Sequence, residues 1–493
     1  MLRRAGLSDY HWGLYTYCSE KSVQDPTWLS VLPPLLAIFL AIVTRQVIIS
    51  LSIGIWLGFC LLQSVNPVAG LGLALDGVIA VFSDAGDTRV LVFTLVIGGL
   101  IATVEKFGGV RGFIHLLENR AWVNSGSRAQ WLAYGTGLVV FIESNITLLV
   151  AGAISRPLFD RYKLAREKLA YIIDSTSAPV CILIPLNAWG AVVVGILQSS
   201  GIDNPVSVFV SAIPFNFYPL LVLVVAALVI SRSIDIGPMA SAQARTEGGE
   251  LLWPHSTPMV DPAILSGQEF DAARDRASTM LAPIGVLILS MPVYLYITGG
   301  GDILAGSGST SVLWAVLSAL AVAWLLLLTS RRASIDELMN TFLRGAGGLL
   351  PVAMILLFAL ALGDVAAALG TGAYVAQVVQ NTIPLALLLP LLFLVSSFIA
   401  FSIGSSWGTF AIMIPLAMQV TLSLELPPAM TLAAVLSGSV FGDHASPISD
   451  TTVVSSMAAA TDHIEHVRTQ LPYALIAAAG ASLCFLVAGL VAL

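Results

Sequence analysis

Charge is scarce in this 493-residue chain: Asp, Glu, Lys and Arg together make up 10%, against 57% hydrophobic residues. A soluble domain carries roughly 25% charged residues, so a water-soluble surface cannot be built from this composition. Cysteine is scarce too. Cys18, Cys60, Cys181 and Cys484 share no metal-ligand spacing and mostly sit in apolar runs, where a thiol packs as a small hydrophobe. The net charge is -7 and there is no basic stripe, which excludes a nucleic-acid partner. Residues 1–27 hold Arg3, Arg4, Glu20 and Lys21 among aromatics without a continuous apolar core. They read as a short surface segment and not as a cleavable signal peptide.

What the chain has instead is apolar runs, recurring from Ser30 to Leu493. Crossing a hydrocarbon core of about 30 Å takes about 20 helical residues, so the bilayer is the main solvent and an all-α, multi-pass membrane protein is expected. The expected location is an inner membrane or plasma membrane. One long polar break interrupts the runs, residues 233–276, with Gly248-Gly249, four prolines and seven acids. It divides the membrane region into 28–232 and 277–493. Spans are expected near 30–44, 46–63 and 89–105, then interrupted stretches at 129–159 and 168–199, then 206–231. The second half repeats that order at 278–297, 310–329, 347–363, 383–420, 428–460 and 470–492. Local detail repeats as well: Phe141-Ile-Glu-Ser-Asn matches Phe401-Ser-Ile-Gly-Ser-Ser, and Asp174-Ser-Thr-Ser-Ala-Pro matches Asp443-His-Ala-Ser-Pro.

Lys and Arg are retained on the cytoplasmic side and so set the orientation. With Arg45 inside, the stretch 64–87, which has no Lys or Arg, lies outside as a loop, and Lys106, Arg111, Arg120 and Arg128 lie inside. Arg156, Arg161, Lys163, Arg166 and Lys168 must then be inside too. The stretch 129–159 therefore enters and leaves on one face. Its arms of about 14 residues reach roughly 21 Å, too short to cross, which predicts a re-entrant hairpin with its tip near Glu143 to Thr147. Continuing the count leaves only Arg3, Arg4, Lys21 and Arg89 of the 22 basic residues outside. Each half makes five crossings and one hairpin, and the odd number inverts the second half relative to the first. Inverted repeats with two re-entrant hairpins and interrupted helices are the architecture of secondary transporters, with the site at the repeat interface near the midplane.

Four polar constellations fall at the expected hairpin tips and breaks: Glu143-Ser144-Asn145 with Thr147; Asp174 to Ser177 before Pro179; Ser405 to Thr409; and Asp443 to Thr452. A carboxylate at the centre of a membrane helix costs about 2.5–3.5 kcal/mol on the insertion scale and needs a partner. No Lys or Arg lies near these acids in sequence, so a bound cation is the economical one. The donors are oxygens only, which suits a hard ion such as Na+. The charge carriers expected are Asp443, Asp450, Asp174 and Glu143, with Asn145, Ser177, Ser405, Thr409 and Ser446 as neutral ligands. Isolated Ser and Thr in such helices also simply bond backbone carbonyls at kinks.

At these positions the chain resembles a known family. Gly442-Asp443-His444-Ala445-Ser446-Pro447-Ile448-Ser449-Asp450-Thr451-Thr452, the later stretch His466 to Tyr473, and Lys168 to Pro179 are similar to the NhaC-type Na+/H+ antiporters, a family that also holds a malate and lactate exchanger. The likeness spans nearly the whole membrane region. It implies exchange of Na+ and H+ without a cofactor and without enzymatic chemistry. Relatives of this pattern are expected to carry an acidic pair at the first hairpin tip, where this chain has Glu143 followed by Ser144 and Asn145.

Other features point elsewhere less strongly. His463 and His466 are spaced like zinc ligands but lie beside Asp462, Glu465 and Arg468, which predicts a solvated cytoplasmic cap. Asp443, His444 and Ser446 name a hydrolase triad, yet residues this close in sequence rarely reach triad geometry. Gly108-Gly109 and Gly345, Gly347 and Gly348 fit helix ends and close helix contacts. Glu105 with Lys106 reads as an interfacial pair and Asp364 as an outer helix-end acid. A free Asp near pKa 3.9 binds almost no protons at pH 7 to 8. Desolvation favours the neutral form, so a buried carboxylate can be discharged either by a proton or by a sodium ion, and exchange follows from that competition. The alternative is Na+-coupled movement of a small organic anion held by helix N-termini. Besides these solutes the partners expected are the lipid bilayer and, for a protein of this kind, a second copy in a homodimer.

Overall fold

The computed structural model describes residues 27–44, 46–63, 67–109, 111–113, 124–141, 144–185, 187–202, 204–258, 276–301, 306–382 and 384–492. Glu143, Arg45, Arg120 and the segment 1–26 lie outside the described residues. The described part is helical, with no strand. Among the described residues, the helices that precede the long polar break or lie at its start are α1 (Leu32–Thr44), α2 (Val47–Gln63), α3 (Pro67–Ala80), α4 (Ala85–Lys106), α5 (Gly126–Val139), α6 (Ser144–Arg161), α7 (Arg166–Ser175), α8 (Ala178–Leu183), α9 (Ala188–Ser199), α10 (Pro205–Ala212), α11 (Phe217–Arg232) and α12 (Pro238–Glu247). Ten follow it: α13 (Ser278–Thr298), α14 (Gly308–Thr329), α15 (Ile335–Gly348), α16 (Leu350–Ala368), α17 (Thr371–Thr382), α18 (Leu388–Ile403), α19 (Ser406–Ser423), α20 (Pro428–Ala445), α21 (Asp450–Ala459) and α22 (His463–Ala492).

Among the described residues seven helices are long and apolar enough to cross a membrane, or up to nine if each of two bent pairs counts as one span. One bent pair is α10 with α11, at 43°. The stretch 64–87, expected as a loop, contains α3, an apolar helix turned by 114° from α2. Nine of its 14 residues are apolar (Val68, Ala69, Leu71, Leu73, Ala74, Leu75, Val78, Ile79 and Ala80), which a count of basic residues cannot see.

Exchanging the halves maps the packing onto itself. The pair α4 and α15 matches α16 and α3; α4 with α14 matches α16 with α2; and α4 packs on α16 directly. Deeper in, α6 packs on α21 as α19 packs on α9, and α7 packs on α22 as α20 packs on α11. Trp189 of α9 lies 4.8 Å from Trp407 and 5.7 Å from Phe410 of α19, ring to ring. Small residues make the matching contact, where Gly152 of α6 meets Ala458 of α21 so closely that a Cβ would come within 2.6 Å.

The two hairpins are α5–α6 and α18–α19. Their arms have 14 and 18 residues in the first and 16 and 18 in the second, so α6 is longer than the 14 residues expected. At 1.5 Å per residue, 18 residues reach about 27 Å, close to a full crossing, and arm length alone does not make the hairpin re-entrant. The contacts of the tips carry the reading instead. The Phe141 carbonyl accepts from Asn187 Nδ2 at 3.0 Å, between α8 and α9, and the Phe401 carbonyl accepts from Ser446 Oγ at 2.7 Å, between α20 and α21. Each tip thus ends against the interruption of the broken helix in its own half. Gly404 allows the second tip to come this close: its φ is +73°, and a Cβ there would lie 2.7 Å from the Ile448 carbonyl.

Candidate functional site

Asp443 stands on the last turn of α20 and is 1% exposed. Its Oδ2 accepts from the Ser406 backbone N–H at 3.2 Å and from Ser406 Oγ at 2.6 Å, and its Oδ1 accepts from Ser449 Oγ at 2.6 Å. Ser449 Oγ is also 3.0 Å from Thr451 Oγ1. Ser406 opens α19 and Ser449 is the N-cap of α21, so the carboxylate faces two helix N-termini. Each carries roughly half a positive charge on its free N–H groups. Hairpin tip and broken helix thus supply fixed partial charge to this acid, alongside the bound cation expected from the sequence.

Asp174, on the last turn of α7, is also 1% exposed. Its Oδ2 accepts from Gln470 Nε2 at 2.8 Å, and the same amide nitrogen donates to the His444 carbonyl at 2.6 Å. Two acceptors on one side fix the amide, so Gln470 Oε1 turns to His466 Nε2 at 2.8 Å, which must carry the hydrogen. His444 Nε2 and His466 Nε2 each lie 3.9 Å from Asp174 Oδ2, and Tyr218 Oη lies 2.6 Å from His444 Nδ1. Asp174 Oδ1 and Thr452 Oγ1 are buried and lack a hydrogen bond of good geometry, although the Thr452 side chain lies close enough to Asp174 to interact with it. Such atoms cost free energy unless something fills the gap.

His466 is fully buried in this network, which overturns its expected place in a solvated cap; α22 begins at His463, so His466 is one turn inside a packed helix. His463 Nε2 instead meets the Pro447 carbonyl at 2.6 Å, and the two imidazoles converge on Ser456 Oγ, at 3.1 and 2.9 Å. With His463 and His466 each bonded this way, no zinc pair is formed. Nor is there a triad: His444 engages Tyr218 and Ser175, while Ser446 engages Phe401. Glu105 and Lys106 are not an ion pair either, because Lys106 Nζ reaches Thr341 Oγ1 at 2.9 Å. The glycine reading holds: Gly108 has φ +73° at the end of α4, and Gly345 packs against Gly98.

The other expected site residues divide. Asp450 opens α21, is exposed, and accepts from the Thr451 N–H at 2.9 Å, so it does not join the buried pair. Asn145 is the second residue of α6 and half-buried. Ser177 Oγ donates to the Asp174 carbonyl at 2.9 Å, Ser405 Oγ caps α19 by accepting from Gly408 N at 3.3 Å, and Thr409 Oγ1 donates to the Ser405 carbonyl at 3.0 Å. These hydroxyls serve the backbone at the kinks, as isolated Ser and Thr do. The donors that hold Asp443 are their neighbours Ser406 and Ser449. Gln470 lies outside the four polar constellations, and its signals in the sequence are a single Gln on an apolar helix and its place in the family-like stretch His466 to Tyr473. Three cations on or against α7 belong to other acids: Arg166 pairs with Asp160 at 2.8 Å, Lys168 with Asp235 at 2.7 Å and Arg245 with Glu167 at 2.8 Å.

Residues 202–490, which include α18 to α21 and Gln470, match the model of the Na+/H+ antiporter family. The chain belongs to that family. An uncharacterised protein of Haemophilus influenzae is 32% identical over 488 residues, covering 93% of this chain and 90% of that one. The malate-2H(+)/Na(+)-lactate antiporter of Bacillus subtilis is 34% identical over 105 residues, 20% of this chain and 22% of that one. In structure the chain is similar to the YdaH transporter of Alcanivorax borkumensis, with a TM-score of 0.56 at 14% identity, covering 85% of this chain and 89% of that one. That likeness speaks for the fold. This family member is a multi-pass secondary transporter of the plasma membrane and not an enzyme.

Proposed function

We propose that the transporter exchanges Na+ for H+ by competition at buried carboxylates, with Asp443 as the main charge carrier and Asp174 as the second. The observation that carries this is the pair of fully buried acids with no Lys or Arg partner among the described residues: Asp443 held by neutral donors on both oxygens, and Asp174 held by the Gln470 amide, with two imidazoles at 3.9 Å and Oδ1 lacking a well-formed hydrogen bond. Two helix N-termini lower the cost of the ionised Asp443 but do not cancel a full charge, so a proton or a sodium ion still gains by arriving, and one excludes the other. The hydroxyl oxygens at Asp443, from Ser406 and Ser449, are the ligand type a hard cation takes, and Ser446 and Thr409, bonded here to backbone carbonyls, are proposed as further ligands. Glu143 and Asn145 at the first hairpin tip, Ser177 and Ser405 at the breaks, and Asp450 at the start of α21 are proposed to line the ion's route. The membrane region is read as two repeats, 28–232 and an inverted 277–493, joined by a cytoplasmic linker 233–276, with 1–27 at the surface. Alternating access then follows as one part of the protein, made of helices from both repeats, rocks or slides against the rest around the carboxylates.

Purified protein in liposomes should release protons when Na+ is added, with apparent Na+ affinity falling as pH drops. A Na+ affinity that stays flat from pH 6 to 9 is incompatible with a shared site. A second reading draws on the malate and lactate antiporter among the relatives. In that case Na+ alone moves few protons, and adding malate or lactate restores coupled flux.

A further inference from the structure

The polar linker does not hang free. Its first part, residues 233–258, is docked onto the two helices that meet at Asp174. Helix α12 packs against both α7 and α22. Arg245 of α12, 8% exposed, makes a two-pronged bond to the fully buried Glu167 of α7, Nη1 to Oε1 at 2.8 Å and Nη2 to Oε2 at 3.0 Å. The same guanidinium donates to the carbonyls of Glu250 and Leu251 and lies 4.8 Å from the ring of Trp253, so it also folds the segment that follows. Beside it, Lys168 of α7 pairs with Asp235, and Gln243 joins the turn before α7 by accepting from Ala165 N and donating to the Lys163 carbonyl. On the other helix, Tyr473 Oη accepts from Ile236 N at 2.8 Å and donates to the Ile234 carbonyl at 3.3 Å. Tyr473 stacks on Tyr171 of α7 at 4.7 Å. Thr257 N donates to Asp462, which precedes α22, at 2.9 Å.

The anchors lie at one end of α7 and α22. Glu167 and Lys168 are about two turns from Asp174 on α7, and Tyr473 is one turn from Gln470 on α22, while Gln470 and Asp174 are bonded to each other. One helix comes from the first half of the chain and the other from the second. If either turned or slid alone, the bond from Gln470 to Asp174 Oδ2 would break.

We propose that residues 233–258 are a strap that clamps α7 to α22 across the two halves, so that Asp174 and Gln470 travel as one body through the transport cycle, with Arg245 as a positioning residue. This rests on the reading of Asp174 as part of the ion site. A buried charge left unpaired is strongly destabilising, so the first test uses the neutral double variant Arg245→Gln with Glu167→Gln. Hydrogen exchange read by mass spectrometry on the full chain should show peptides around Asp174 and around Gln470 losing protection together. In liposomes, apparent Na+ affinity should fall by about 10-fold, the scale seen when groups behind a metal ligand are removed, and the pH profile should move with it. Arg245→Lys, which keeps the charge and loses the fork, should fall between wild type and the double variant. Tyr473→Phe deletes one hydroxyl with every charge still paired and should give a milder form of the same joint loss, which covers the case where the double variant does not fold. Protection lost in the linker alone, or in only one of the two helices, overturns the strap, as does an unchanged Na+ affinity and pH profile. Wild-type protein without Na+-dependent proton flux counts against the ion assignment instead, and the exchange data still decide the clamp.

Discussion

The two broken helices are built to the same plan and filled with different chemistry. In the second half the interruption between α20 and α21 follows a carboxylate, Asp443, whose oxygens are taken by Ser406 from the hairpin and Ser449 from the break. In the first half the interruption between α8 and α9 holds an amide. Asn187 Nδ2 donates to the carbonyls of Phe141 and Cys181, and Asn187 Oδ1 accepts from Gly190 N to cap α9. The acid of that half, Asp174, sits more than two turns earlier, beside the point where α7 gives way to α8 at Thr176 and Ser177. A repeat can thus fix where hairpins meet breaks while leaving each break free to carry charge or not. On this comparison the second break is the charged half of the site, and the first is a neutral hinge with a carboxylate nearby.

The largest effect expected from breaking the comparison is at Asp443. An Asn there can place its carbonyl toward the Ser406 N–H and its amide toward Ser449, whose hydroxyl turns to accept, so every partner is kept and the charge is lost. Asp443→Asn should insert and purify like wild type, with stability within about 1 kcal/mol, and lose Na+-driven proton flux. Flux retained by this variant in liposomes would move the charge-carrying role away from the second break.

Next in size is the neutral hinge. Asn187→Ala removes a helix cap, worth about 1 kcal/mol, and leaves the Phe141 and Cys181 carbonyls without that donor at about 1–3 kcal/mol each where they stay dry. Partial hydration should hold the total to about 2–4 kcal/mol, read as a lower unfolding temperature in detergent. Exchange should slow but persist, because no charge is removed. An Asn187→Ala variant as stable as wild type, or one that loses exchange altogether, would erase the difference between the two breaks.

That hinge also marks how far the sequence could be read. The hairpins were legible because basic clusters before and after 129–159 leave no other way to keep Arg and Lys on one side, and the likeness of Phe141 to Phe401 predicted that both tips are built alike. Breaks near Pro179 and Pro447 were legible from proline and clustered hydroxyls. The interruption after α8 was missed although Pro185 stands two residues before Asn187 just as Pro447 stands two before Ser449, because an amide in an apolar run carries less signal than an aspartate. The buried His466 and the Arg245–Glu167 pair were beyond reach for another reason. Local sequence around each is polar and looks solvated, and only contacts between residues far apart in the chain, 78 positions for Arg245 and Glu167, take them out of water.

The smallest effect is expected at Asp450, and it separates sequence from structure most directly. From sequence, Asp443 and Asp450 look equivalent: both flank Pro447 in the most family-like segment, and losing either should stop exchange. The structure makes them unequal. Asp443 is buried between two helix N-termini, whereas Asp450 is exposed at the first position of α21, with its Oδ1 on the next backbone N–H. An acid there interacts with the helix dipole by about 0.3–1 kcal/mol and can draw cations toward the route, but a hydrated carboxylate needs no proton or sodium ion to remain there. Asp450→Asn should therefore keep exchange, with apparent Na+ affinity lowered by roughly 2- to 5-fold at low salt and less at high salt, since screening weakens an exposed charge. The measurement is Na+-driven proton flux in liposomes at two ionic strengths, with Asp443→Asn alongside. If Asp450→Asn is as inactive as Asp443→Asn at both, then Asp450 enters the buried site in another state of the cycle, and the charged break must hold two acids where this conformation buries one.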